Sequence, residues 1–143
     1  MMKKIKKFLY KFFMLDKFVF SEIFIEKDVI EDICDFAKSL HPKEFLAILG
    51  GEIKNKKLYV NKLYAQEFVS SKNSVFFSSF LPNSISEFGT VHSHPSSNNK
   101  PSTKDLLAFN KKGVVHFIIG YPYTEKNISG YDFNGNEIKF KII

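Results

Sequence analysis

The chain has 143 residues, the length of one ordinary domain, so a single hydrophobic core is expected. Hydrophobic residues make up 44% and charged residues 25%, with seven Gly and five Pro, which excludes collagen-like and wholly disordered proteins. Cys34 is the single cysteine, so an intramolecular disulfide and a multi-cysteine zinc cage are also excluded. Any metal ion must therefore be bound by His and carboxylate side chains.

The net charge of +6 is concentrated at the N-terminus. Residues 1–20 contain six Lys and one Asp, a net charge of +5, whereas the rest of the chain has a net charge of +1. Every basic residue is Lys. Arg is the side chain best suited to bidentate contacts with phosphate or guanine, and its absence argues against sequence-specific binding of nucleic acid. We therefore expect no specific nucleic-acid partner.

Residues 1–20 predict a basic amphipathic segment that precedes a domain over residues 21–143. Phe8, Phe12 and other apolar residues recur there at helical spacing, with Lys on another face. Lys11 interrupts the apolar run, so a secretory signal and a transmembrane span both fit poorly, and a cytoplasmic location is expected. We interpret the segment as a helix packed on the domain or at a homodimer contact. A helix that lies on an anionic membrane surface is the alternative.

The remaining pattern predicts an α/β domain with a mixed β-sheet flanked by helices. Apolar residues at three- and four-residue spacing predict a helix over 27–40. After it we predict a hairpin of 44–51 and 57–65, a strand over 88–95, a loop over 96–101, a helix over 102–112, and three closing strands over 114–121, 127–133 and 136–143. Residues 66–86 mix Phe with Ser, Asn and Lys, which fits either an irregular strand or a mobile flap.

Two histidines and an aspartate form a candidate metal site. His92 and His94 lie two residues apart on a predicted strand, so their side chains leave the same face and can bind one ion. The loop from Pro95 to Pro101 allows Asp105, in the first turn of the next helix, to reach that face. Two imidazoles and one carboxylate suit zinc and leave a fourth tetrahedral position for water.

Each of these residues also has a structural explanation. Ser102 or Thr103 followed by Asp105 is typical of a helix N-cap with an acidic residue early in the helix. Capping does not explain the pair of histidines, so we favour the metal site. The other two histidines lie outside the pattern: His41 is interpreted as a capping or surface residue, and His116 as a core or edge residue.

The run His92-Ser93-His94-Pro95, followed after six residues by Ser102 and then by Asp105, resembles the signature of the JAMM (MPN-plus) metalloproteases. The string GTVHSHPS is most similar to small archaeal and bacterial single-domain members. The resemblance covers residues 25–140. It implies a cytidine-deaminase-like α/β architecture, a bound Zn²⁺ and a zinc metallopeptidase of the deubiquitinase-like type.

The same family requires a glutamate near the start of the strand that follows the first helix, in a pattern such as E-x-x-G-x-L-x-G. Glu44 fits that register, with Ala47 where Gly is usual. Glu52 and Glu87 are weaker candidates because neither opens such a strand. The resemblance implies that Glu44 acts as general base and that Ser102 donates a hydrogen bond to the oxyanion.

By resemblance, the substrate is the C-terminal tail of a ubiquitin-like modifier protein, cut at an amide bond by an isopeptidase or peptidase. Residues 66–86 and the loop 96–101 are the expected walls of the groove for that tail. One alternative is a metal-dependent amidase that releases sulfur-carrier proteins or small amides. The other is a RadC-like protein, associated with nucleic acid and not a protease. Inactive proteins of this fold lose metal ligands, and this sequence retains all of them.

Overall fold

The computed structural model describes residues 20–65, 70–71, 74–75, 87–109 and 113–143. The elements in chain order are β1 (Glu22–Ile25), α1 (Lys27–Leu40), β2 (Leu46–Lys54), β3 (Lys57–Ala65), β4 (Ser70–Ser71), β5 (Ser74–Val75), β6 (Glu87–His94), α2 (Thr103–Phe109), β7 (Val115–Gly120), a 3₁₀ turn (Glu125–Asn127), β8 (Ile128–Asp132), β9 (Glu137–Ile138) and β10 (Lys141–Ile142). No helix among these residues is long and apolar enough to span a bilayer.

Eight strands form one mixed sheet in the order β10-β1-β3-β2-β6-β7-β8-β9, and β4 and β5 form a separate two-stranded ribbon. The pairs β1–β10, β1–β3 and β6–β7 are parallel, and the other pairs of the sheet are antiparallel. The strands β9 and β10 lie at opposite edges although only Lys139 and Phe140 separate them. Three peptide units span about 11 Å at most, so the sheet curls until its two edges nearly meet.

The helix α1 covers the concave core through one apolar stripe. Val29, Ile30, Ile33 and Ala37 are buried, and their three- and four-residue spacing places them on one face. They join a cluster with residues of β1, β2, β3, β6 and β7. This burial is the reason that the apolar period alone predicts the helix correctly.

The strand β7 is buried on both faces because the two helices cover it from opposite sides. All six of its residues are buried. Phe117 and Ile119 belong to the cluster beneath α1, whereas Ile118 packs with Phe109 of α2. Apart from His116, the sequence of β7 is correspondingly an apolar run without polar alternation, as expected for a strand enclosed on both faces.

The pairing of β2 with β6 determines which residues face α2. Leu46 lies opposite His92 and Ala47 opposite Val91. The ladder extends one residue before the start of β2, because the N–H of Ser93 donates to the carbonyl of Phe45 at 2.9 Å. In return the N–H of Phe45 donates to the Ser93 hydroxyl at 2.7 Å, and this contact is buried.

The fold class predicted from the sequence is confirmed, and two details differ. The strand predicted to begin at residue 44 begins at Leu46. The second helix is described over Thr103–Phe109, and the predicted end at residue 112 lies outside the described residues. The predicted strand over 136–143 is two short strands, because this segment crosses from one sheet edge to the other. The predicted helix within 1–20 and most of the 66–86 flap lie outside the described residues.

Replacing Ser93 by Ala tests the junction of β2 and β6. The substitution leaves the buried N–H of Phe45 without its hydrogen-bond acceptor, so we expect the free energy of unfolding to fall by about 1–3 kcal/mol. Urea unfolding of the zinc-free protein measures this change. The control is Ser39→Ala, since Ser39 is exposed on α1 and its loss should change stability by about 0.5 kcal/mol or less. An equal effect of the two substitutions would contradict a role for Ser93.

Candidate metal centre

Three side chains from β6 and α2 converge on one point. The Nε2 atoms of His92 and His94 are 3.1 Å apart. The two oxygens of Asp105 lie 3.1 Å from His92 Nε2 and 3.0 Å from His94 Nε2. His92 is buried, and the other two side chains are partly buried. The two histidines, two residues apart on β6, therefore direct their side chains to one point, as the sequence predicts.

The loop between the ligand positions fixes His94. Its Nδ1 is 2.7 Å from the carbonyl oxygen of Asn98, so Nδ1 carries the proton that it donates there, and in the neutral imidazole Nε2 keeps its lone pair for a metal ion. The loop is itself anchored, because the Tyr131 hydroxyl donates to the Asn99 carbonyl at 2.8 Å and the Asn99 amide donates to the Asn127 carbonyl at 2.9 Å. These contacts orient the imidazole from outside the cluster.

Asp105 and Ser102 are joined by two reciprocal hydrogen bonds at the start of α2. The N–H of Ser102 donates to the Asp105 carboxylate at 2.8 Å, and the N–H of Asp105 donates to the Ser102 hydroxyl oxygen at 3.1 Å. This capping box uses a lone pair of the Ser102 hydroxyl and leaves its proton free to donate. The helix cap predicted as an alternative is therefore present together with the cluster.

The electrostatics of the cluster favour a positive charge at its centre. Burial by itself would raise the pKa of Asp105, but hydrogen bonds from His92 and His94 outweigh it and hold that pKa far below its usual value. The hydrogen bond with Asp105 raises the pKa of His94, against the opposing effect of burial. The carboxylate therefore stays ionised at the point where the imidazoles meet.

An aromatic layer supports the cluster from below. The ring of Phe109 stacks on that of His116 with centroids 4.2 Å apart, and it lies 6.3 Å from the ring of His92. His116 is 1% exposed and its Nδ1 is hydrogen bonded to the Thr90 hydroxyl at 2.7 Å. Burial lowers the pKa of His116 to about 4, so this ring is neutral at physiological pH. The prediction that His116 is a core residue is confirmed.

The donor set fits zinc. The ligand atoms of His92, His94 and Asp105 all lie within 4.8 Å of one another and could hold a metal ion. Donors bound tetrahedrally to zinc at its usual bond lengths lie about 3.4 Å apart, within a few tenths of an ångström of the separations here. Two neutral imidazoles and a carboxylate are also the donors of many open catalytic zinc sites.

The segment before β2 brings Glu44 to the same face. Continued by two residues, the register of β2 with β6 places Glu44 opposite His94, and directly opposed residues point to the same side of a sheet. The negative charge of Glu44 is close enough to contribute to the raised pKa of His94, after the larger effects of the hydrogen bond to Asp105, of burial and of the contact with Asn98. Glu44 is exposed, whereas its neighbour Phe45 is buried.

The two weaker glutamate candidates lie elsewhere. Glu52 is in the far half of β2, where it is exposed and forms an ion pair with Lys54 at 3.1 Å. Glu87 begins β6, seven residues before His94, which corresponds to about 23 Å along a strand. Neither residue is near the cluster.

One hydrogen bond beside Glu44 is not indicated by any sequence pattern. The Nδ1 of His41 and the hydroxyl of Tyr123 are hydrogen bonded at 2.6 Å across a separation of 82 residues. His41 is also the C-cap of α1, as predicted, through its backbone N–H to the Ala37 carbonyl. A contact between residues so distant in sequence has no local pattern that could reveal it.

Comparison with known proteins agrees with this geometry. A curated probable metalloprotease of Haloferax volcanii is 29% identical over 120 residues, which are 78% of this chain and 73% of that protein. The crystal structure of a JAB1/MPN domain protein from Archaeoglobus fulgidus matches with 34% identity and a TM-score of 0.68, over 83% of this chain and 97% of the other. A structure described as a JAMM metalloprotease-like zinc site in the proteasome and signalosome matches with 32% identity and a TM-score of 0.66, over 86% and 99%.

The family model for prokaryotic homologues of the JAB domain matches residues 26–133, which include the cluster and Glu44. That span is well over half of the chain. The protein therefore belongs to the prokaryotic JAB family and contains a JAMM-like domain of the metalloprotease type.

Proposed function

We propose that this protein is a zinc-dependent isopeptidase or peptidase that hydrolyses the amide bond at the C-terminal tail of a ubiquitin-like modifier. The observation that carries the proposal is the convergence of His92, His94 and Asp105 on one point, with Glu44 on the same face of the sheet. When bound, zinc supplies a Lewis acid that lowers the pKa of water and polarises a carbonyl group.

Glu44 is the proposed general base. It is exposed and lies beside the cluster, so its carboxylate can accept a proton from the attacking water and then deliver that proton to the leaving amine. Such a carboxylate must be able to reach both the water and the nitrogen of the leaving amine in one reaction. Within the described residues it forms no hydrogen bond or ion pair of its own that would prevent this.

Ser102 is the proposed donor to the oxyanion. Its Oγ accepts from the N–H of Asp105 through a lone pair, so the hydroxyl proton can point out of the helix end toward the substrate carbonyl. Ser102 is exposed at the mouth of the cluster. Removal of one oxyanion donor typically raises the barrier by about 2.7–4 kcal/mol.

The substrate class rests on the family. Glu44 and Ser102 are exposed while His92 is buried, so a chain can approach the site from the side of the two proposed catalytic groups. The exposed loop 96–101 is the proposed groove wall among the described residues. The RadC-like alternative shares the metal-ligand signature, but Ser97 stands where that group usually has Gly, and this departure argues against it.

A cleavage assay tests the substrate. The zinc-loaded protein is incubated with a ubiquitin-like protein from the same genome that ends in Gly-Gly, extended by a peptide or conjugated to a lysine, and the products are identified by mass spectrometry. We expect cleavage after the terminal glycine. Hydrolysis of small amides without cleavage of either modifier substrate would favour the amidase alternative and contradict the proposed substrate.

Zinc content tests the metal ligands. We expect one zinc per chain in the purified protein and loss of zinc in His92→Ala and Asp105→Ala, because two remaining ligands hold the ion poorly. Elemental analysis after dialysis measures this. Asp35→Ala, which removes an exposed carboxylate of α1, is the control and should keep its zinc. Zinc content equal to wild type in both ligand variants would exclude this site.

Paired substitutions test the catalytic roles. Glu44→Gln should retain zinc and lose about 10⁴-fold in kcat, since the amide has the same shape but cannot accept the proton. Ser102→Ala should lose about 10²-fold in kcat and keep measurable turnover. The matched control is Glu52→Gln, which should have wild-type activity. An active Glu44→Gln together with an inactive Glu52→Gln or Glu87→Gln would mean that another glutamate is the base.

A deletion of residues 1–20 tests the proposed role of that segment. As a helix packed on the domain or at a homodimer contact, its removal should lower the melting temperature or cause aggregation, because the apolar surface beneath it becomes exposed. Differential scanning fluorimetry and light scattering measure both. An unchanged melting temperature, combined with co-sedimentation of the full chain with anionic vesicles that the deletion abolishes, would instead support membrane binding.

A further inference from the structure

The hydrogen bond between His41 and Tyr123 connects two segments at the rim of the metal centre. His41 ends α1 and lies three residues before Glu44. Tyr123 lies three residues after Gly120, the residue of β7 that pairs with His94. The ring of Tyr121 contacts both partners, with centroids 5.1 Å from His41 and 5.6 Å from Tyr123. The three rings form a compact group beside β6, the strand that carries His92 and His94.

The backbone of Tyr123 is held in an uncommon conformation. Its φ angle of 64° is in the left-handed region, which residues other than Gly adopt rarely because the Cβ atom crowds the following carbonyl oxygen. The residue is nevertheless 1% exposed, and its N–H donates to the Gly120 carbonyl at 2.9 Å. Surrounding contacts therefore determine this conformation, and they aim the hydroxyl at His41.

Glu44 lies between two fixed points. On one side Phe45 is bonded to Ser93 through both its N–H and its carbonyl. On the other side His41 is bonded to Tyr123. Within the described residues the carboxylate of Glu44 has no hydrogen bond or ion pair, so the backbone on either side has to set its position. Glu44 is close enough to Tyr123 for its charge to contribute to the raised pKa of that phenol, after burial and Tyr121.

We propose that His41 and Tyr123 are positioning residues, whose hydrogen bond holds the segment 41–45 against the turn after β7 and thereby places the Glu44 carboxylate over the metal centre. The inference rests on the proposed function of Glu44 as general base. Neither residue is catalytic, since both act through the backbone that carries Glu44.

Loosening one of the two fixed points has a defined kinetic consequence. A base that samples a larger volume spends less time in the geometry for proton transfer, and a misplacement of about 1 Å can cost on the order of 10²-fold in rate. Binding of the substrate ground state does not require that geometry. The loss should therefore fall on kcat and leave KM unchanged.

The variant Tyr123→Phe removes the hydroxyl and keeps the ring. In the full-length zinc-loaded protein we expect kcat on a fluorogenic peptide amide ending in Gly-Gly to fall at least tenfold, with KM within twofold of wild type and zinc content unchanged. Hydrogen–deuterium exchange gives a second readout. The amides of Lys43 and Phe45, which are bonded to Leu40 and Ser93, should exchange faster in the variant. The amide of Ile33, in the middle of α1, should not change.

Two further variants serve as control and second test. Tyr121→Phe removes another hydroxyl from the same turn. That hydroxyl has no hydrogen bond among the described residues, so the variant should match wild type in both readouts. His41→Leu removes the same contact from the other side, so it substitutes for Tyr123→Phe if that variant does not fold. The double variant should be no slower than the slower single variant, because both lose one interaction.

The outcomes separate this inference from the function on which it rests. Unchanged exchange at Lys43 and Phe45, an unchanged kcat, or a change confined to KM would overturn the positioning role while wild-type hydrolysis still supports the function. A wild-type protein without hydrolytic activity would contradict the proposed function. The exchange experiment would then decide alone whether the hydrogen bond holds the segment, since it requires no substrate.

Discussion

The position of β6 between β2 and β7 is the constraint on which the candidate site depends. Side chains alternate along a strand, so the burial of Val91 beneath α1 requires His92 and His94 to face α2. A shift of one residue in the pairing with β2 would turn both imidazoles into the core beneath α1. The reciprocal bonds between Ser93 and Phe45 fix that register at the end of the strand where the ligands lie. Ser93, between the two histidines, therefore helps to determine the side of the sheet that both histidines face.

The cluster is a partly buried anion that two imidazoles and one backbone N–H stabilise together. Burial by itself favours the protonated form of a carboxylate, and the pKa of Asp105 is nevertheless low because the contacts with His92 and His94 outweigh burial. A bound cation would supply positive charge at the same point, while the bond from His94 Nδ1 to Asn98 would be unaffected. The Asp105 carboxylate is thus stabilised in its ionised form both with and without the ion.

Local sequence patterns predicted most of the fold because the corresponding elements are shaped by local causes. The helix over 27–40 and the strand over 57–65 were predicted with the observed bounds, since apolar period and turn residues specify them. The split of 136–143 into β9 and β10 was not predictable, because it results from the meeting of two distant sheet edges. The metal-ligand pattern was visible because it is contained within 14 residues, from 92 to 105. The hydrogen bond of His41 with Tyr123 was not visible, because 82 residues separate the two partners in the sequence.

Ser102 shows why a structural and a catalytic interpretation of one residue need not exclude each other. A hydroxyl has two lone pairs and one proton, and capping of α2 uses only a lone pair, which accepts from the N–H of Asp105. The carboxylate that completes the capping box is itself a candidate zinc ligand, so the cap orients the ligand and leaves the proton available. The two roles differ in what they affect. Loss of the cap lowers stability by about 1 kcal/mol, whereas loss of the donated proton affects only the reaction barrier. Under the proposed function, Ser102 therefore couples the folding of this helix end to the chemistry beside it.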